Sequence, residues 1–330
     1  MRAGFAVIVP CYQRSPGVIR EALASVAAQE GLGAAPLHVY VVDDGSPVDP
    51  GEEAAAVDWP ASCRVRLLRK PNGGVSSARN WALERLQGEE GIAFLDADDR
   101  WLPHHLASAR HALESGFDLY AADMQTLSGQ RHQALFFRDA LPLQRFGDEP
   151  WAHELTAELA DFTVASPLIP TPSLVVSRAL LGESRFHEGL RLAGEDGLFK
   201  TALAVKRPRV MVSSRVDVVQ GRGVNIFSQG EWGTADAFRR AADHLRSRYL
   251  MQPLLEGFPA AQRRLRRAIG EAETGFWRAA LAAQRRRELP KGALARTVSA
   301  HPRLVRRLPR AALGAWRRSG RGAEQGRRVP

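Results

Sequence analysis

For its first hundred residues the chain alternates short apolar runs with segments of helical spacing. Residues 5–9 (FAVIV), 38–42 (HVYVV), 64–68 (RVRLL) and 92–95 (IAFL) are rich in valine, isoleucine and leucine, which predicts four strands. Runs without polar alternation fit strands covered on both faces, as in a parallel sheet. Between them, Ile19 to Gln29 and Ser76 to Leu86 place apolar residues at helical intervals. The link from Asp43 to Cys63 mixes Gly and Pro with Glu52-Glu53-Ala54-Ala55-Ala56 and yields no clear assignment. Strands alternating with helices imply an α/β fold, a mostly parallel sheet flanked by helices.

Past Leu119 the pattern loosens. Leu119–Ala122, Ser173–Ser177 and Val210–Val212 read as further strands, whereas residues 123–170 carry too many turn signals to assign. Beyond Trp232 the spacing turns helical, over Ala235–Tyr249 and Ala260–Arg287. Ala300–Pro330 holds Pro302, Pro309, glycines and many arginines, and is expected to fray or to await a partner. The expected division is an α/β domain over 1–230, a C-terminal helical extension over 231–299, and a basic, flexible tail over 300–330. There is no internal repeat.

Charge sharpens this division. The net charge is +10, yet residues 260–330 hold 19 Lys or Arg against four Glu, so residues 1–259 carry −5. The body is mildly acidic and the basicity belongs to the end of the chain. Reading the whole as a nucleic-acid binder from its charge would therefore be an error of averaging, and nucleic acid is not an expected partner. Arg263-Arg264-Leu265-Arg266-Arg267 and Leu304-Val305-Arg306-Arg307-Leu308 interleave charge with apolar residues. That fits peripheral contact with an anionic membrane and equally a solvated helical appendage. The two cysteines, Cys11 and Cys63, make no C-x-x-C or zinc-like spacing, which fits a reducing compartment. No run approaches the roughly 18 apolar residues of a membrane span. The expected location is the cytoplasm, at the inner face of the membrane if the basic part engages lipid.

The polar residues that carry chemistry sit where the first four strands end. Pro10-Cys11-Tyr12-Gln13-Arg14 follows the first, Asp43-Asp44-Gly45-Ser46 the second, Asn72-Gly73-Gly74-Val75-Ser76-Ser77-Ala78-Arg79-Asn80 the third, and Asp96-Ala97-Asp98-Asp99 the fourth. In a parallel sheet all four ends share one edge, where open sheets place ligands. Three carboxylates within four residues repel one another unless a cation neutralises them, and oxygen-only ligands favour Mg²⁺ or Mn²⁺. A glycine turn before a helix admits a phosphate, and arginine adds paired donors. The plainer alternatives are a solvated acidic turn at 96–99 and an Asx turn at 43–46.

The order V-P-x-Y, V-D-D-G-S, N-G-G-x-S-x-A-R-N, L-D-A-D-D resembles a family 2 glycosyltransferase of the GT-A fold. The similarity is strongest over residues 5–106 and looser to about 228. The resemblance implies a Rossmann-like, GT-A-type sheet and an inverting transfer of sugar from a nucleotide-diphosphate-sugar donor to a saccharide or lipid-linked acceptor, in cell-surface polysaccharide or glycolipid assembly. By position, Asp44 would bond the base ring with Asp43 beside it. Pro10 and Tyr12 would shape the wall near the nucleotide. Asn72, Gly73, Gly74 and Arg79 would face the nucleotide or its diphosphate. Asp96 would approach the ribose, and Asp98 or Asp99 would ligate a divalent cation, Mn²⁺ or Mg²⁺. Gly194-Glu195-Asp196 resembles the family's E-D element, which makes Asp196 the general base with Glu195 beside it, although an E-D pair is also ordinary chemistry for a helix start. Gln220-Gly221-Arg222-Gly223-Val224-Asn225 departs from the family pattern by putting Arg222 where a histidine often stands. An arginine binds phosphate but is a poor metal ligand.

His104, His105 and His111 lack an H-E-x-x-H pattern and read as helix-surface residues. A nucleotidyltransferase would carry a Gly- and Arg-rich loop after the first strand, and Pro10-Cys11-Tyr12-Gln13 is not one. A dinucleotide dehydrogenase fails for want of G-x-G-x-x-G. A nucleotide-sugar-binding protein of this fold without turnover stays open.

Overall fold

The computed structural model describes residues 4–33, 35–131, 141–164, 169–221 and 231–307. The four apolar runs form β1 (Phe5–Cys11), β2 (Leu37–Asp43), β3 (Cys63–Arg69) and β4 (Gly91–Phe94), paired in parallel in the order β3-β2-β1-β4. Every residue of β1 and β4 is buried. β3 is the edge strand, and its Arg64, Arg66 and Arg69 are exposed, which explains its alternating sequence. Helices α1 (Arg20–Ala27), α2 (Gly51–Ala55), α3 (Val75–Leu83) and α4 (His105–Glu114) connect and cover these strands. α2 lies in the link for which the sequence yields no assignment. α1 buries Ala22, Leu23 and Val26, and the core continues through Val7, Val9, Val39, Val41 and Leu95.

The three later strands stand where the apolar pattern put them. They are β6 (Leu119–Gln125), β9 (Leu174–Ser177) and β10 (Val210–Val219), following the short β5 (Arg100–Trp101). β9 runs antiparallel between β4 and β6, and β6 is parallel to β10. β7 (Leu143–Arg145) and β8 (Ala152–Leu155) extend the far edge antiparallel, and β5 pairs with the end of β10. Among the described residues the sheet has ten strands. Short helices α5 (Ala160–Thr163) and α6 (Arg178–Leu181) precede α7 (Glu195–Ala204), which packs against α5.

The chain divides into two compact units. The first holds the described residues up to 191 and those of 195–221; the second holds 192–194 and 231–307. The second is helical: α8 (Ala235–Leu254), α9 (Pro259–Arg285), α10 (Lys291–Ala300) and a 3-10 turn over Pro302–Arg307. Thr234 caps α8 by accepting from Ala237 N at 3.2 Å, satisfying a donor that the helix leaves unpaired. Phe238, Leu245, Phe276, Trp277 and Leu304 form its core. Past Ala300, Leu304 is fully buried and its carbonyl accepts the Trp277 indole N–H at 2.8 Å. Residues 308–330, most of the expected tail, lie outside the described residues. No helix among the described residues is long and apolar enough to cross a membrane.

Candidate active site

The parallel register brings the strand ends together: Cys11 pairs with Asp43, Asp43 with Arg69, and Ile8 with Phe94. Pro10 is buried within β1, whereas Tyr12 beyond it is 37% exposed, with the Arg14 guanidinium 5.6 Å above its ring. Asp43 accepts from Ser46 N at 2.8 Å, closing the turn that follows β2. Asp44 is a clasp between two loops. Its carboxylate accepts from Lys70 Nζ at 2.6 Å, Gly73 N at 2.9 Å and Gly74 N at 2.7 Å, and its carbonyl accepts from Asn72 Nδ2 at 2.9 Å. The amides at the start of α3, which the sequence offers to a phosphate, are thus held by an internal carboxylate at the positive end of the helix. A β-carbon at 73 would stand 2.7 Å from Ser77 Oγ and 2.8 Å from Lys70 Nζ, so both side chains would have to shift to admit one.

Arg79, 3% exposed, projects from α3 and donates from Nη2 to Asp96 Oδ1 at 2.6 Å. Its guanidinium lies 4.9 Å from the centroid of the Phe186 ring. Its Nε and Nη1 are buried and have no hydrogen-bond partner among the described residues. Asn80 fixes the platform: its Nδ2 donates to Phe186 O, and its Oδ1 accepts from Phe186 N, each at 2.9 Å. Phe186 in turn stacks on Phe199 at 3.9 Å. The arginine is therefore held in place by Asp96 and the Phe186 ring, with two buried donors that have no partner among the described residues.

Asp98 and Asp99 have no cationic partner among the described residues. Burial, then the charge of Asp96, raises the Asp98 carboxyl. Asp99, 6% exposed, is pushed up to about 8 by burial and by Asp96 and Asp98, against the pull of the Gly221 N–H that its Oδ1 accepts at 3.0 Å. Only glycine fits at 221, because a β-carbon there would overlap the Asp98 carbonyl oxygen. Acids held this far from comfortable ionisation suit a hard cation. Yet no cluster of three or more His, Cys, Asp or Glu side chains fit to hold a metal occurs among the described residues. Two carboxylates suffice for Mg²⁺ or Mn²⁺ when substrate phosphates complete the shell. Arg222 lies outside the described residues.

Glu195 and Asp196 open α7. Glu195 is buried, and burial followed by the charge of Asp196 raises its carboxyl, against the pull of Arg79. Asp196 goes the other way. Burial raises it, but the Lys200 ammonium, the Gly197 N–H and Arg79 together bring it down to about 2. Arg79 thus acts electrostatically on both members of the pair, and Asp96 acts on Glu195.

The histidines need a correction. His105 is fully buried rather than on the helix surface, its ring 4.6 Å from that of Trp101 and its Nδ1 3.5 Å from Asp217. His104 Nε2 lies 2.9 Å from the same carboxylate, and Tyr120 donates its hydroxyl to it. Leu102 N donates to Asp217 O at 2.8 Å. This buried cluster anchors the segment that follows the acids. Lys70, Phe186 and Lys200 escape sequence reading, and Asn80, the last residue of the glycine motif, is given no role by it. Lys70 lies just before the motif and was within reach of it; Phe186 is 106 residues from the asparagine that holds it and carries no local signal.

A sheet of this order, with acids lining the carboxyl edge, is the GT-A glycosyltransferase fold. The family model described as Glycosyl transferase family 2 matches residues 6–135. Succinoglycan biosynthesis protein ExoW of Rhizobium meliloti is 30% identical over 319 residues, 92% of this chain and 96% of its own length. The chain belongs to glycosyltransferase family 2 and is a glycosyltransferase. Two solved structures share the fold at 20% identity: S. aureus TarS residues 1–349 in complex with UDP-GlcNAc (TM-score 0.53, 93% of this chain and 92% of that one), and the mannosyltransferase PcManGT of Pyrobaculum calidifontis in complex with GDP-Man and Mn²⁺ (TM-score 0.55, 94% and 85%).

Proposed function

We propose that this enzyme transfers a sugar from a nucleotide-diphosphate-sugar to an acceptor hydroxyl by a single inverting displacement, in assembly of a cell-surface polysaccharide or glycolipid. The observation that carries the reading is Arg79, whose two unpaired buried donors stand beside Asp96 and act electrostatically on Glu195 and Asp196. Departure of a nucleoside diphosphate builds charge on phosphate oxygens, and preorganised N–H donors stabilise that charge as it develops. Tyr12 and Pro10 wall the nucleotide, Asp43, Asp44 and Asn72 order the loops around it, and Asp96 and Arg79 meet its ribose and diphosphate. Gly73 and Gly74 serve this site by holding Asp44. Arg222 would bind a phosphate oxygen of the donor.

Asp98 and Asp99 would hold a divalent cation, which supplies charge neutralisation for the leaving diphosphate when bound. The complex of PcManGT with Mn²⁺ supports that choice, and the complex of TarS with UDP-GlcNAc supports a nucleotide-sugar donor. Asp196 receives the acceptor's proton as its oxygen attacks the anomeric carbon, with Glu195 behind it. The kinship with ExoW, named for succinoglycan biosynthesis, supports a polysaccharide or lipid-linked acceptor. The basic helix α9 would hold the enzyme at an anionic membrane, at the cytoplasmic face.

The test is release of nucleoside diphosphate from a panel of nucleotide-sugars with Mn²⁺, Mg²⁺ or EDTA, with Asp98→Ala and Asp196→Ala alongside. Metal-dependent release from one donor, lost in Asp98→Ala, is the expected result. Calorimetric binding of a donor without turnover, whatever the acceptor supplied, would favour a binding protein, and no binding by any donor would sink the reading.

A further inference from the structure

We infer that Lys200 is a positioning residue for Asp196, holding that carboxylate ionised and in one rotamer so that it is always ready to receive the acceptor's proton. The inference rests on the reading of Asp196 as the base. Both residues lie on α7 at i and i+4, neighbours on one helix face. Lys200 Nζ donates to Asp196 Oδ2 at 2.9 Å and to Ile169 O at 2.7 Å. The second contact matters, because it ties the ammonium to the first unit's backbone and leaves it no freedom to swing away. Gly197 N donates to the other oxygen, Oδ1, at 2.6 Å. Each carboxylate oxygen is thus fixed by one donor and keeps lone-pair capacity for a substrate hydroxyl.

The burial is lopsided in the direction this role needs. The Lys200 side chain is 7% exposed and that of Asp196 is 36% exposed. An acceptor can reach the carboxylate while the ammonium stays behind it. Leu198, Phe199, Thr201 and Leu203, around Lys200 on α7, are all buried, so an apolar side chain would suit position 200 for packing alone. A nearly buried ammonium costs stability unless it is paired, and its pairing is with the proposed base.

The other charged groups around Asp196 are Glu195 beside it, Arg79 on α3 and Asp96 after β4, whose charge reaches Glu195. α5, packed on α7, brings the Thr163 hydroxyl to Thr201 at 3.1 Å and carries Asp161. Of these, Lys200 and Arg79 are the cations, and Lys200 alone touches the carboxylate. Against burial, which raises Asp196, they and the Gly197 N–H bring it to about 2. A base that weak takes the proton late, once the attacking oxygen has been acidified by bonding to carbon.

The experiment is the pH profile of kcat/KM for transfer by the full chain at saturating Mn²⁺, from about pH 3 to 9 so that the ordinary aspartate range is included, with Lys200→Gln, Lys200→Arg and Asp196→Asn compared. Without the ammonium, the strongest of the groups that oppose burial is gone, and the carboxyl moves up from its native position. Lys200→Gln should therefore gain an acid limb absent from the native profile, losing about tenfold in rate per pH unit below it, whereas Lys200→Arg should restore the native shape. A Lys200→Gln profile that superimposes on the native one overturns the inference. Full transfer activity in Asp196→Asn would instead overturn the reading of the base, independently of Lys200. Should Lys200→Gln fail to fold, a carboxylate-carbon NMR titration of the unsubstituted protein decides: Asp196 ionised throughout the range supports the inference, and titration near the ordinary value overturns it.

Discussion

Arg79 and Asp96 meet at 2.6 Å, the arginine 4% and the aspartate 34% exposed in their side chains. The pair couples the glycine-turn helix to the acidic segment after β4. It also leaves Arg79 with two donors to spare, which separates a binding arginine from one absorbed by structure.

Replacing Arg79 should therefore cost chemistry more than folding. Arg79→Ala is expected to lower kcat/KM by roughly 10²–10³-fold, the usual cost of one preorganised donor to a developing anion. Arg79→Lys should not rescue it, because a lysine cannot serve Asp96 and a second oxyanion in one plane. Steady-state kinetics beside a thermal melt separates the two effects; a loss of melting temperature with activity intact would reassign Arg79 to the scaffold.

The Asp44–Lys70 pair makes the opposite prediction. Both side chains are buried, 4% and 6% exposed, and Asp44 also holds Gly73 and Gly74. Asp44→Ala strands a buried ammonium and two amides, at a cost of about 3–5 kcal/mol. Lys70→Met in that background should recover part of the loss. A double-mutant cycle by urea unfolding measures the coupling, and additive single effects would contradict the clasp.

Asp99 ties stability to pH. Its carboxyl is raised in the folded state, to about 8, so the native protein prefers it protonated. This group's contribution to stability is then greatest at acid pH, falls as pH climbs from the ordinary carboxylate range towards 8, and levels off beyond. In EDTA, Asp99→Asn should flatten that slope and raise Tm near pH 8, by about 2–4 °C for each kcal/mol relieved. Differential scanning calorimetry from pH 5 to 9 makes the measurement; equal slopes for the two proteins would refute it.

Membrane contact is the remaining prediction. Arg263, Arg266, Arg267, Arg278 and Arg285 of α9 fall within about 120° of one another around the helix, along about 33 Å of its axis. Four of the five are exposed. Arg266, Arg267 and Arg278 line an open depression of about 420 Å³ with Gly270, Glu271 and Thr274. Each arginine near an anionic surface contributes about 1 kcal/mol. Vesicles of phosphatidylglycerol with phosphatidylcholine should sediment the protein at low salt and release it at high salt, and Arg266→Glu with Arg267→Glu should weaken the binding at least tenfold. Equal partition with pure phosphatidylcholine vesicles would rule the surface out.

The strands were legible because burial on both faces demands continuous apolar runs: β1 and β4 meet that demand throughout, and β6 and β10 meet it in their opening segments Leu119–Ala122 and Val210–Val212. The four chemical segments were legible because short polar motifs follow those strands directly, and parallel pairing puts such ends on one edge whatever the intervening sequence. α2 escaped because five residues carry too little periodicity. His105 was misread because helical spacing does not say which turn faces the Asp217 cluster.

Local chemistry thus set the kinds of residue available at the edge; three-dimensional packing chose their partners. That Asp44 turns inward to two glycine amides, that Phe186 supports Arg79 from 106 residues beyond Asn80, and that Asp99 meets Gly221 beside the paired β5 and β10 are contacts between segments far apart in the chain. Their energies depend on distance and desolvation, which exist only once the sheet has assembled, so no window of sequence contains them.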